Sequence, residues 1–293
     1  MENKNMTALI SCFARAYHSN YKFKIFNDSL ARKIITDEEY NNISKYMVEG
    51  IGYFNKNIKG TKEQILRYIV DNNLSPSVLG RSIYCEKMLK QDIKLGLKQY
   101  LIFASGYDTY AYRNQNNIKV FEIDTKEMIA DKLKRLELAD IRNDNVTYIK
   151  TDLSKDNFIN DILDSDFDKT KKSFCSLLGI SYYLNKEEFT LMINNISKLL
   201  CDGSTLVIDY PTIDKDITEI KKEELAKEAK EEMKATYTFK EIEKIFNDCG
   251  MLVYENLDNN DINNNYFYNY NTLNPSNRIY APKGVNYCLV VKK

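Results

Sequence analysis

The sequence predicts an α/β fold: a mostly parallel, doubly wound seven-stranded sheet with helices on both faces, preceded by a helical N-terminal cap. Three observations predict it. The stretch YLIFASGYDTYAYRNQNNIKVFEIDTKEMIADKLK, residues 100 to 134, reads as strand, glycine turn, helix, strand and acidic tip, the first half of a nucleotide-binding α/β domain. Beyond it, short apolar runs alternate with helical patterns to the end of the chain, which implies crossovers between parallel strands. Before it, residues 1 to about 95 carry helical spacing and no strand pattern.

Within the cap, Ala8, Ile10, Phe13, Ala14 and Tyr17 recur near helical spacing, as do Ile65, Ile69 and Val70 before a break at Asn72 to Pro76. A helix from Arg81 to Leu97 turns Ile83, Met88, Leu89, Ile93 and Leu97 inward and leads into the first strand. The expected strands are Tyr100 to Ala104, Lys119 to Ile123, Val146 to Lys150, Ser173 to Leu178, Thr205 to Tyr210, Met251 to Leu257 and Tyr287 to Val291. Helices are expected over Lys126 to Ala139, Asn157 to Leu163, Lys186 to Leu200 and Phe239 to Cys249. With no clear helix between the last two strands, an antiparallel hairpin at one end of the sheet is the simplest closure.

The core domain, residues 96 to 293, carries two insertions, at about 212–236 and 259–284. The first holds DKDITEIKKEELAKEAKEEMKA, Asp214 to Ala235, and reads as a helix with a solvated charged face. The second, Asn259 to Pro282, is rich in Asn and Tyr and reads as a long loop of the kind that often covers a site.

Composition narrows the chemistry. Forty-two basic residues balance 42 acidic ones, so net charge gives no footprint for nucleic acid. The N-terminal stretch lacks the apolar run of a signal peptide, and no run approaches a bilayer span, so a cytoplasmic protein with no membrane partner is expected. Six scattered cysteines form no Cys-x-x-Cys pair and read as small buried hydrophobes. His18 is the single histidine: no multi-histidine metal site exists, and a Ser-His-Asp or Cys-His system would have to use it. No metal is expected.

The turn Ala104-Ser105-Gly106-Tyr107-Asp108-Thr109 fails the dinucleotide pattern Gly-x-Gly-x-x-Gly. It has one glycine, and Asp108 stands near the place of a pyrophosphate, which a carboxylate would repel. The same turn suits a nucleoside without phosphates, with Glu122 and Asp124 about twenty residues on as acceptors for ribose hydroxyls.

FASGYDTYAYR, Phe103 to Arg113, resembles the Leu-Gly-Ala-Gly-Leu-Asp-Thr-Arg-Ala-Tyr-Arg block of the leucine carboxyl methyltransferase and polyketide O-methyltransferase family of class I S-adenosylmethionine-dependent enzymes, whose sheet is Rossmann-like. The resemblance continues through FEIDTKEMIADKLKRL, Thr151-Asp152-Leu153 and LLGISYYLNKEEF, with Arg15 and Arg81 standing where the family places N-terminal arginines. It implies S-adenosylmethionine as cofactor. Ala104, Ser105, Gly106 and Tyr107 would border its methionine part, Asp124 (Glu122 as runner-up) would hold the ribose, and Asp152 and Leu153 would flank the adenine. Arg81 would pair with its carboxylate, and Gly179, beside Leu178, would let the backbone approach the reaction centre. Tyr182 and Tyr183 are the candidate catalytic side chains, Tyr182 being the freer of the two because Tyr183 takes the family's tyrosine position. Arg15 either binds a substrate carboxylate or braces the cap, and Arg113 makes a structural ion pair.

Three positions depart from the family: Ala104 replaces a glycine, Tyr110 an arginine and Leu178 a glutamate. Alanine fits if its φ is negative. The implied function is methyl transfer to an oxygen, carboxylate or hydroxyl, of a small or peptidic acceptor. The alternatives are a catalytically inactive cofactor-binding module and a nicotinamide-dependent oxidoreductase, against which the single-glycine turn argues.

Overall fold

A computed structural model describes residues 6–114, 117–214, 224 and 233–293. The cap is helical: α1 (Met6–His18), α2 (Ala31–Ile34), α3 (Asp37–Glu49), α4 (Ile51–Phe54), α5 (Lys62–Ile69) and α6 (Ser75–Lys94). Thr36 with Glu39 and Thr61 with Gln64 form reciprocal capping boxes that satisfy the free amides at the starts of α3 and α5. The break expected at Asn72 to Pro76 is instead a π turn, Val70–Leu74, that carries α5 straight into α6. Pro76 falls in the first turn of α6, directly after that π turn.

Seven strands follow: β1 (Gln99–Phe103), β2 (Lys119–Asp124), β3 (Val146–Lys150), β4 (Ser173–Leu177), β5 (Thr205–Pro211), β6 (Met251–Leu257) and β7 (Val285–Lys292). They form one sheet in the order β3-β2-β1-β4-β5-β7-β6. β1 to β5 are parallel, and β7 runs antiparallel to both neighbours. The expected seven-stranded, mostly parallel, doubly wound sheet is therefore the one observed. The antiparallel pairing of the last two strands expected at one end of the sheet is also observed, with β7 lying between β5 and β6.

Strand alternation divides the core. Leu101 and Phe103 of β1 pack on one face with Phe158, Phe189 and Phe246, and Tyr100 and Ile102 pack on the other with Tyr84 and Leu89 of α6. The first face is covered by Phe158–Leu163, Lys186–Leu199 and Phe239–Asp248, close to the expected helices. The second is covered by α6 and by the segment after β6.

That segment corrects the expected loop. Asn259–Ile262, Asn263–Phe267 and Tyr268–Leu273 are helical. Asn and Tyr are poor helix formers, but Ile262, Phe267 and Tyr270 are buried against the sheet, and burial overrides propensity. The helix expected over Asp214 to Ala235 lies, apart from its ends and Glu224, outside the described residues.

A third apolar cluster joins cap to core: Leu9, Cys12, Phe13 and Ala16 of α1 meet Tyr107, Met128 and Leu136. Four of the cysteines are buried, Cys201 and Cys249 are partly exposed, and all six are free thiols. No described helix is long and apolar enough to cross a membrane.

Candidate active site

The site lies at the carboxyl ends of β1, β2, β4 and β5, where an open α/β sheet places ligands. A cavity of about 720 Å³ opens there between sheet and cap, within the range of small-molecule sites. Ala8, Ser11, Arg15 and Arg81 line its cap side, Ala104 to Asp108 and Asp124 its floor, and Leu178, Gly179, Tyr183 and Lys234 its far wall.

The floor is the glycine turn. Gly106 has φ +47°, and its N–H donates to Asp124 Oδ2 at 2.8 Å, while the Thr125 N–H donates to Oδ1 at 2.7 Å. Asp124 thus locks the turn and keeps further lone pairs at the cavity. Burial pushes its carboxyl above the ordinary value, with the two amide donors pulling back. Ser105 Oγ is buried on the cavity wall with no hydrogen-bond partner. Ala104 has φ +52°, so the negative φ expected of an alanine here is not what the chain adopts. Its backbone keeps a glycine-like left-handed turn with a β-carbon in place.

Arginines tie the cap to this floor. Arg15 donates through Nε to Asp28 Oδ2 at 2.8 Å and through Nη2 to the Tyr107 carbonyl at 2.6 Å. Arg113 reaches the same aspartate, Nε to Oδ1 at 3.3 Å, and pairs with Glu86, as its structural reading required. Asp108 Oδ1 accepts the Tyr110 N–H at 2.7 Å. Arg15 therefore braces the cap, and it also lines the cavity.

From the cap side Arg81 reaches the far wall, donating from Nη1 to Asp209 Oδ2 at 3.2 Å. Gly179 has φ +72°, and a β-carbon there would stand 2.8 Å from Arg81 Nη1, so only glycine lets the guanidinium lie this close.

Several sequence expectations need correction. Glu122 faces away from the cavity: its carboxylate, fully buried, lies 2.6 Å from the Lys132 ammonium, which is also fully buried. Burial pushes Glu122 up to about 6, with Lys132 opposing. Alternation puts Glu122 and Asp124 on the same side of β2, but Glu122 lies inside the strand, where Lys132 meets it, and Asp124 is the last strand residue, at the tip. Asp152 and Leu153 do not line the cavity either. Asp152 Oδ1 accepts from Ser154 N and Oγ at 3.0 and 2.7 Å in its own turn, and Leu153 packs on the core. Tyr182, expected to be the freer tyrosine, is the buried one: its hydroxyl donates to Asp209 Oδ2 at 3.0 Å, whereas Tyr183 lines the cavity. The short 3-10 turn Ser181–Tyr183 sets this orientation.

Asp209 is the residue sequence reasoning missed. A single acidic residue inside the apolar run TLVIDYP was the available signal, because an unpaired carboxylate is rarely buried.

The arrangement fits S-adenosylmethionine: a carboxylate at the tip of β2, an orphaned hydroxyl, two positive-φ glycines that admit close backbone approach, and a guanidinium opposite. Among the described residues no group of three or more metal-ligating side chains comes together.

Comparison with known proteins agrees with this geometry. The sequence profile described as leucine carboxyl methyltransferase matches residues 8–197. YktD of Bacillus subtilis (strain 168), named by inference as an S-adenosyl-L-methionine-dependent methyltransferase, is 36% identical over 308 residues, covering 99% of this chain and 98% of its own. A Mycolicibacterium paratuberculosis protein with the same inferred activity in its name is 23% identical over 214 residues, 69% of this chain and 64% of its own. Among solved structures, a DUF574 family protein of Streptomyces avermitilis superposes with a TM-score of 0.60 at 13% identity, over 97% of each chain, which shows the shared fold. A Thermobifida fusca protein assigned as a methyltransferase gives 0.55 at 18% identity, over 84% of this chain and 94% of its own. With a full-length relative, a profile match over most of the chain and a sheet that ends in a nucleoside-sized cavity, the protein belongs to the leucine carboxyl methyltransferase family and is an S-adenosylmethionine-dependent methyltransferase.

Proposed function

We propose that the protein methylates an oxygen of a small or peptidic acceptor, and that the acceptor is a carboxylate. The observation that carries this is the absence of a histidine base from the cavity. His18 is fully buried in the cap, its Nε2 accepts the Ile25 N–H at 3.0 Å, and burial, then Arg67 and Lys24, push its pKa down to about 4. A carboxylate is ionised at neutral pH and requires no base, unlike an alcohol or phenol. The lining carries Arg15, Arg81 and Lys234 beside Asp108, Asp124 and Glu127, and Lys234 on the far wall supports an anionic acceptor over a neutral one.

Asp124, Ser105, Gly106, Gly179 and Arg81 would hold the cofactor, which supplies an electrophilic methyl group on a sulfonium when bound. What the chain itself contributes is alignment and exclusion of water. Holding two reactants in line is worth roughly 7 to 11 kcal/mol of barrier in favourable cases. Tyr183 and Lys234 line the space available to the acceptor, and Lys234 is anchored by its N–H to the Tyr182 carbonyl at 2.8 Å. The balanced charge of the chain supports a small molecule or peptide over nucleic acid.

The test is transfer of labelled methyl to a panel of carboxylic acids, phenols, alcohols and peptides, followed by mild base. A methyl ester releases methanol and an ether does not. Base-labile product supports carboxyl methylation; base-stable product, or bound cofactor with no transfer to any acceptor, overturns it.

A further inference from the structure

One buried carboxylate holds together two walls of the cavity without lining it. Asp209, near the end of β5, is 1% exposed. Its Oδ1 accepts the Gly179 N–H at 2.6 Å, and its Oδ2 accepts from both the Tyr182 hydroxyl and Arg81 Nη1. Its backbone carbonyl accepts Ser181 Oγ at 2.7 Å. Three of these donors belong to the loop after β4; the fourth, Arg81, comes from cap helix α6. The Arg81 Nη2 lies 3.5 Å from Ser11 Oγ of α1, so the same guanidinium touches a second cap helix.

Strand register explains why the carboxylate is here. Leu177 of β4 pairs with Ile208 of β5, so Leu178 and Asp209 are the next residues on adjacent strands. Leu178 gives the cavity an apolar wall, and the carboxylate beside it, Asp209, comes from β5.

We infer that Asp209 is a positioning residue for the amino-acid end of the cofactor. By accepting from Gly179 and Arg81 at once, it fixes the guanidinium against the glycine, and the guanidinium's remaining N–H groups stay available to a ligand carboxylate. Each charge-assisted bond is short-ranged and directional, so the orientation of the fork decides whether a ligand carboxylate is met well. Neutralising Asp209 leaves Arg81, whose side chain is 18% exposed, without its counter-ion and free to turn. This rests on the reading that the cavity holds the cofactor with Arg81 at its carboxylate.

The experiment measures binding of S-adenosylhomocysteine and of 5′-methylthioadenosine, which lacks the amino-acid end, to wild type, Asp209→Asn, Arg81→Met and the double variant, with thermal unfolding beside each. Asp209→Asn should weaken S-adenosylhomocysteine by about tenfold or more, as for loss of one partner of a buried charge pair. 5′-Methylthioadenosine should stay within about twofold, and the double variant should bind no worse than Arg81→Met, because the two residues act as one unit. A merely structural Asp209 would lower affinity for both ligands together, and that result overturns the inference. So does a double variant whose loss is the product of the single losses. If Asp209→Asn does not fold, Arg81→Met alone decides: unchanged affinity for S-adenosylhomocysteine means that Asp209 has no guanidinium to act through. Failure of the cavity reading looks different, since wild type would then bind neither ligand.

Discussion

Asp28 and Arg15 are joined at 2.8 Å inside the cap–core seam, with the aspartate fully buried and the arginine continuing to the carbonyl of Tyr107 beside the glycine turn. Arg113 shares the same carboxylate from the core side. Burial alone would raise the Asp28 pKa, but Arg15 and then Arg113 outweigh it and hold the carboxyl below its ordinary value. A depressed folded pKa gives stability that is present above the unfolded pKa and lost as pH falls through the folded one. Asp28→Asn should therefore cost about 3–5 kcal/mol at pH 7 in urea unfolding, the usual penalty for orphaning a buried charge. A loss under about 1 kcal/mol, the range of an exposed pair, would contradict the seam's role.

Ala104→Gly should not destabilise. A left-handed alanine costs roughly 1–2 kcal/mol, against about 0.5–1 kcal/mol of extra chain freedom for glycine. Urea unfolding should show a variant equal to wild type or more stable by up to about 1 kcal/mol. A clear loss would mean that the φ of +52° is not strained here.

Glu122 and Lys132 form a buried pair away from the cavity. Either single change, Glu122→Gln or Lys132→Met, should cost about 3–5 kcal/mol, and the double variant should recover most of that. In the double variant S-adenosylhomocysteine affinity should be unchanged. A marked loss of affinity there would restore Glu122 as a ribose ligand.

His18 and Asp71 oppose one another in acid. His18 falls from 6.5 to about 4, chiefly through burial, so the unfolded chain binds more protons between those values and acidification destabilises. Asp71 rises from 3.8 to about 6, again chiefly through burial, with Tyr21 and Arg67 opposing, so the folded chain binds more protons there and acidification stabilises. The contributions of His18 and Asp71 to the wild-type pH slope should therefore largely cancel between pH 4 and 6. Asp71→Asn should lose stability on acidification at up to about 1.4 kcal/mol per pH unit, and His18→Gln should gain it. Identical pH slopes in all three proteins would sink this account.

Much of the sheet was legible because a buried parallel strand is a bounded apolar run, and the helices between declare themselves by period and caps such as Asn185 with Glu188. Strand order was not, since nothing in the residues of β7 says that it pairs with β5 as well as β6. The helical course of Asn259 to Leu273 was hidden by composition and is set by tertiary burial. At the site, the glycine turn and Asp124 could be read from local pattern. The roles of Tyr182, Asp152 and Asp209 could not, because each depends on where a loop turns and which buried group it meets.

Calorimetric titration of S-adenosylhomocysteine into wild type and Asp124→Ala tests the cofactor cavity most directly. The carboxylate at the tip of β2 should make binding to wild type at least about tenfold tighter, consistent with roughly 1.5–3 kcal/mol for hydrogen bonds to a charged group. A folded Asp124→Ala protein that binds as tightly as wild type would place the cofactor somewhere other than this cavity.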